Sequence, residues 1–290
     1  MQEAYFTREG TRLFYRHWEV GDHAPALVMC HGLASNGTRW REFAEAMAGS
    51  GWQILCPDLR GSGGSLYRGR INADIWADDL AALLDHQGIS RAVVGGHCLG
   101  ANLALRFAQR HPDRCRGLVL VEPMFPTALY GRLKRLARMR YILPLLAWPI
   151  LGFNKLGIYR RNLPRLDLTE LDHNTRQAME ALGGHEAIRK RYAKPSRDTL
   201  YLPAAAYLQS LNQVLRPMPP LHNIRQPALA LLSSGALFGD LALTREKLNE
   251  MPHIRIKELS AMHWIPTEQP EAMVEHIRAW LETLARQDRD

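Results

Sequence analysis

Apolar and polar positions along this 290-residue chain fall into two alternating kinds of segment. Ala26 to Cys30, Trp52 to Cys56, Arg91 to Val94, Gly117 to Val121, Ala228 to Leu232 and His253 to Leu259 are short and rich in apolar residues. Runs of that kind suit strands buried on both faces. Between them lie longer stretches with apolar residues three and four apart, the spacing of an amphipathic helix. These predict helices from about Thr38 to Met47, from the N-capping Asn72 to about His86, from Leu99 to Arg110, and from about Pro270 to Arg286. The second carries Ile75, Leu80, Leu83 and Leu84 on its inner side, and His111-Pro112 stops the third. Tyr5 to Thr7 and Leu13 to His17, separated by Arg8-Glu9-Gly10-Thr11, predict an opening hairpin. Strand alternating with helix at these lengths implies an α/β fold with a parallel sheet and right-handed crossovers, whose ligands bind at the carboxyl ends of the strands.

The alternation breaks once. Roughly a hundred residues separate Val121 from Ala228, far beyond an ordinary connection. The chain therefore divides into a core of residues 1–123 and 224–290 and an insertion of residues 124–223. The formal charge of +8 sits in the insertion: residues 124–222 carry 16 Lys and Arg against six Asp and Glu, a net of +10, which leaves the remainder at −2. Gly131 to Arg140 reads as a basic amphipathic helix, with Arg132, Lys134, Arg135, Arg138 and Arg140 around Leu133, Leu136 and Met139. Tyr141 to Phe153 is apolar but interrupted by Pro144 and Pro149, and too short to span a bilayer. No nucleic-acid recognition motif accompanies the charge. Three readings remain: an anionic membrane surface, a phosphate-bearing acyl carrier such as coenzyme A or acyl carrier protein, or an apolar lid core whose basic face simply meets water. The first residues lack a basic segment followed by an apolar run, so a cytoplasmic location is expected. The four cysteines form no metal-binding spacing, and no metal or cofactor is expected. Cys30, Cys56 and Cys115 read as core fillers of a reducing compartment.

Cys98 has a different setting. Val93 to Asn102 reads as strand, tight turn and helix around Gly96-His97-Cys98-Leu99-Gly100. Glycines on either side permit a turn that larger residues would obstruct. Such a turn lifts the sulfur above the strand end and sets it at a helix N-terminus, where unpaired amides favour negative charge.

Together with His31-Gly32, the loop Asp58-Leu59-Arg60-Gly61-Ser62-Gly63-Gly64-Ser65 and the late His263, this pattern resembles the α/β-hydrolase superfamily, in a variant with a cysteine nucleophile. The likeness covers about residues 24–123 and 224–286. It implies an eight-stranded, mostly parallel sheet with helices on both faces and a helical lid at residues 124–223. It also assigns the nucleophile to Cys98, the base to His263, and the oxyanion donors to the backbone N–H groups of Leu33 and Leu99, whose side chains are then free to line an acyl pocket. His31 would shape the oxyanion loop, and His97 would be a buried hydrogen-bonding residue. The triad acid has two candidates. Most relatives place it after the strand corresponding to Ala228–Leu232, where Asp240 arrives late, and a minority place it at the end of the strand after the nucleophile, where Glu122 lies. Glu122 is favoured because a carboxylate ending so apolar a strand needs a partner. The elbow with cysteine also resembles those of dienelactone hydrolases and polyhydroxyalkanoate synthases, but the former lack so long a lid and the latter are longer, so neither substrate carries over.

The function these residues imply is an acyl-enzyme-forming hydrolase, an esterase or thioesterase, acting through a Cys-His-acid triad. The alternatives are an acyltransferase taking its acyl group from a coenzyme A or carrier-protein thioester, and a non-catalytic ligand-binding protein on the same fold.

Overall fold

The computed structural model describes residues 1–21, 24–182, 195–218 and 220–287. Eight strands form one sheet in the order β1-β2-β4-β3-β5-β6-β7-β8. β1 (Gln2–Arg8) and β2 (Thr11–Trp18) are the expected hairpin, and β2 joins β4 (Gln53–Pro57) antiparallel. β3 (Ala26–Cys30), β4, β5 (Ala92–His97), β6 (Cys115–Val121), β7 (Ala228–Ser233) and β8 (Ile254–Leu259) run parallel.

Alternate residues of the central strands point to opposite faces, and both faces are covered. Val28, Val94, Leu118 and Leu120 pack on one side, with the helices Ala73–His86 (α2) and Leu99–Arg110 (α3). Leu27, Met29, Val93, Val119 and Val121 pack on the other, against Trp40, Phe43 and the C-terminal helix at Pro270–Gln287. That two-sided burial is why these strands read as unbroken apolar runs. Asn72 caps α2 as expected, its side chain accepting the Ile75 N–H at 2.9 Å.

The segment expected to be one helix over 38–47 differs. It is a 3-10 turn, Gly37–Trp40, followed by the short α1 (Arg41–Ala46). The turn is pinned from outside: the Gly37 N–H donates to Asp58 at 2.6 Å, and the Asn36 side chain takes both the N–H and the hydroxyl of Thr38. Asp58 also accepts from the Gly64 N–H and from Arg16, so the glycine-rich loop after β4 is a structural brace for the chain leaving β3.

Residues between β6 and β7 form helices among those described: α4 (Gly131–Arg138), α5 (Ile142–Lys155), α6 (Leu168–Leu182), α7 (Pro195–Tyr201) and α8 (Ala204–Val214). Part of the basic balance, at residues 183–194, lies outside the described residues. The prolines do not break α5. Pro144 sits in the first turn, where no N–H is needed, and Pro149 is carried inside the helix. The insertion is tied to the core where α6 begins: the Leu168 N–H donates to the Thr38 hydroxyl, and Asn36 donates to the Leu166 carbonyl.

Candidate active site

Cys98 stands between β5 and α3 with φ +53° and ψ −109°, a left-handed conformation costly for a residue with a Cβ. Its neighbours explain how the backbone tolerates it. A Cβ on Gly96 or Gly100 would collide with the carbonyl oxygen of Cys30 on the adjacent strand. Only glycine at both positions lets the turn lie against β3.

The sulfur faces a buried histidine. His263 lies in the loop after β8, 4% exposed, lines the same cavity as Cys98, and is hydrogen-bonded to Glu122. Its Nδ1–H donates to Glu122 Oε2 at 2.9 Å. Glu122 follows the last residue of β6 directly and itself has φ +53°. Its second oxygen accepts the Ser233 N–H from the end of β7. Burial alone would strip the proton from His263, but its interactions with Cys98 and Glu122 outweigh it, and the pKa is pushed up to about 10.

The two proposed acids are thereby separated. Asp240 is not part of this cluster: it caps the helix Leu241–Leu248 (α9), its side chain accepting the Leu243 N–H at 3.0 Å. That bond, with help from the Tyr130 hydroxyl, holds its carboxyl below the usual range. It arrives late in sequence because its task is to start a helix.

Both other histidines of interest are structural and neutral. Burial drives the pKa of His31 down. Its Nδ1–H donates to the Gly32 carbonyl at 2.9 Å and its Nε2 accepts the Leu59 N–H at 3.0 Å, which fixes the loop carrying Leu33. Burial and the charge of His263 drive His97 well below its usual value, and its Nε2–H donates to the His263 carbonyl at 2.9 Å. Leu99 opens α3, where its N–H has no partner within the helix. The Leu33 side chain borders the cavity at Cys98, whereas that of Leu99 faces a separate cleft with Trp76, Leu103 and Met218, so only one of the two lines the pocket.

That cavity has a volume of about 700 Å³. Its floor is Cys98 and His263, and its walls are mostly apolar residues of the insertion, among them Leu133, Leu136, Leu171 and Leu211. Arg39, Arg132 and Ser35 also reach the lining, and Asp198 with Tyr207 forms a polar spot among the apolar walls. Burial raises the Asp198 carboxyl to about 6, and burial together with Asp198 raises its hydrogen-bond partner Tyr207 to about 12. Among the described residues, no group of three or more His, Cys, Asp or Glu is arranged to hold a metal ion.

Three supporting groups are absent from the sequence reading. Glu268 accepts the N–H groups of Met262, His263 and Trp264 at 2.8 to 3.1 Å and so shapes the loop that presents the base. Asn102 in α3 exchanges two hydrogen bonds with the Met124 backbone, anchoring the chain just past Glu122. Arg39 forms a buried ion pair with Asp172 of α6 and donates to Thr267 at 2.7 Å, linking the oxyanion-loop side, the insertion and the His263 side.

A family model described as "alpha/beta hydrolase fold" matches residues 25–152. Epoxide hydrolase 3 of Xenopus tropicalis is 25% identical over 97% of this chain and 78% of its own length. A 2-hydroxymuconate semialdehyde hydrolase of a Pseudomonas species is 30% identical over 58% of this chain and 59% of its own. Among solved structures, a thermophilic esterase from Thermogutta terrifontis superposes with a TM-score of 0.71 at 21% identity, covering 98% of this chain and 99% of that one.

Proposed function

We propose that this chain, which has the α/β-hydrolase fold, is a hydrolase that cleaves an ester or thioester through an acyl-enzyme on Cys98. The observation that carries the reading is that Cys98 and His263 line one cavity, with His263 close enough to Cys98 for the sulfur to raise its pKa and hydrogen-bonded behind to Glu122. A nucleophile, a base within reach of it, and an acid orienting that base are the parts acyl transfer needs.

In this reading the thiolate of Cys98, paired with the His263 imidazolium, adds to the substrate carbonyl carbon. The oxyanion that forms is received by the N–H groups of Leu33 and Leu99. The bond to the leaving group then breaks, and that group departs with the proton of His263. Water next adds to the Cys98 thioester, giving up a proton to the now neutral His263. The carbon–sulfur bond breaks, releasing the acid and restoring the thiolate–imidazolium pair. Glu122 keeps the Nδ1 proton in place and offsets the imidazolium charge throughout.

Sulfur narrows the substrate class relative to the epoxide hydrolases among the relatives. A thiolate that opens an epoxide forms a β-hydroxy thioether, which has no carbonyl for water to attack, so the enzyme would stop after one event. A thioester has that carbonyl. Intact-protein mass after brief exposure to activated acyl esters, acyl thioesters and a simple epoxide tests this. The expected result is a transient acyl adduct on wild type that is absent from Cys98→Ala, with the epoxide giving only a permanent one. Faster decay of the acyl adduct on adding alcohols or amines would assign an acyltransferase. No acyl adduct on any ester or thioester would sink the acyl-enzyme reading.

A further inference from the structure

The insertion carries a feature the proposed chemistry does not use. α5 is among the most apolar helices of the chain, yet only Leu143 and Ala147, one turn apart, are buried. The rest of its surface is open: Trp148 is 78% exposed, Leu145 72% and Leu156, just beyond the helix, 74%, with Leu146 and Phe153 more than half exposed. Tyr141 at the start of α5 and Ile158 after it extend the patch. Single exposed apolar residues are ordinary, but a contiguous set around one helix marks a surface that is covered in use.

The charge beside the patch identifies its cover. From Pro123 to Leu166 the sequence has no Asp or Glu and nine Lys and Arg. Arg132, Lys134, Arg135 and Arg138 are exposed on α4, directly before α5, and Lys155 and Arg160 follow on the other flank. An apolar helix edged by Trp and Tyr and framed by cations, with no acid among them, matches the boundary of an anionic bilayer: tails meet the apolar face, and phosphates meet the cations. Among the described residues, no helix is long and apolar enough to cross a membrane, so the element lies along the surface.

We propose that the exposed face of α4 and α5 docks this protein onto an anionic lipid bilayer. The inner side of α4 contributes Leu133 and Leu136 to the wall of the Cys98 cavity, so docking sets that wall against the lipid. The substrate class this names is an amphiphilic acyl ester drawn from the interface. That consequence rests on the acyl-enzyme reading, whereas docking itself does not.

The test is sedimentation of the full chain with vesicles of phosphatidylcholine alone and of phosphatidylcholine with phosphatidylglycerol, at low and high salt, on wild type and Cys98→Ala. Wild type and Cys98→Ala are expected to bind the anionic vesicles alike and to be released by salt. Leu145→Glu/Trp148→Glu and Arg135→Glu/Arg138→Glu are each expected to weaken binding about tenfold or more. Because these side chains are exposed, circular dichroism and the melting temperature of both double variants should match wild type. Three results would overturn the proposal: no binding to anionic vesicles at low salt, equal binding by the double variants, or a homodimer in light scattering that Leu145→Glu/Trp148→Glu dissolves. An inert Cys98 in a chain that still docks would remove the acyl chemistry and leave the docking surface standing.

Discussion

α3 and α5 are both helices dominated by apolar residues and of similar length, twelve and fourteen residues, and their fates are opposite. In α3 nine of the twelve are buried, including Asn102, whose side chain is fully occupied by the Met124 backbone. In α5 two of fourteen are buried. Apolar content therefore says that a helix will be covered without saying by what. α3 is covered by the sheet and α2, and its first residue follows Cys98, whereas α5 offers much of its surface outward.

Substitutions sharpen the contrast, the largest at the mouth of α3. Cys98→Ala is expected to lower turnover of an activated ester by at least about 10³-fold, measured as kcat/KM. The two acids repeat the contrast between interior and surface. Glu122→Gln should cost about 10²- to 10⁴-fold in kcat, by analogy with acids that orient a catalytic histidine. Asp240→Ala should leave kcat in place and cost about 1 kcal/mol of stability as a lost helix cap. Truncation measures packing directly: Leu105→Ala in α3 should destabilise by about 2–5 kcal/mol, and Leu145→Ala in α5 by less than about 0.5 kcal/mol, both read from urea unfolding. Equal costs at the two leucines would mean that α5 is packed after all.

The buried side of the comparison also predicts a pH dependence, centred on His263. His263 binds its proton more tightly folded, near 10, than in an unfolded chain, near 6.5. Its contribution to stability is thus complete below about pH 6.5 and is lost as pH rises towards 10. Unfolding curves of wild type should weaken across that window, and those of His263→Ala should be flatter.

Much of this was readable in advance wherever local pattern and packing agree. The unbroken run Ala26 to Cys30, the capping Asn72 and the glycines around Cys98 each state their geometry in a few adjacent residues. Glu122 could be preferred over Asp240 by asking where a carboxylate would be stranded without a partner, and the structure gives it His263 and the Ser233 N–H. What stayed hidden depends on partners distant in sequence. The segment expected as a helix over 38–47 opens as a 3-10 turn whose first N–H, at Gly37, is held by Asp58 from a separate loop, and Asn102 serves a backbone 22 residues away. Glu268 binds backbone groups, which leave no mark on residue type. The open face of α5 was likewise unreadable, since periodicity reports that a face is apolar and not whether the same chain supplies its cover.

Cys98 and Glu122, each the first residue past the end of one of two adjacent strands, both hold a backbone with φ of +53°. Glycine would adopt it freely, whereas each of these residues pays about 1 kcal/mol or more for its side chain. Selection for thermal tolerance alone would therefore drift towards glycine at both positions, gaining robustness while erasing the thiol and the carboxylate that the proposed chemistry needs. Stability screens on this scaffold are expected to reward changes at the two places the acyl-enzyme reading can least spare.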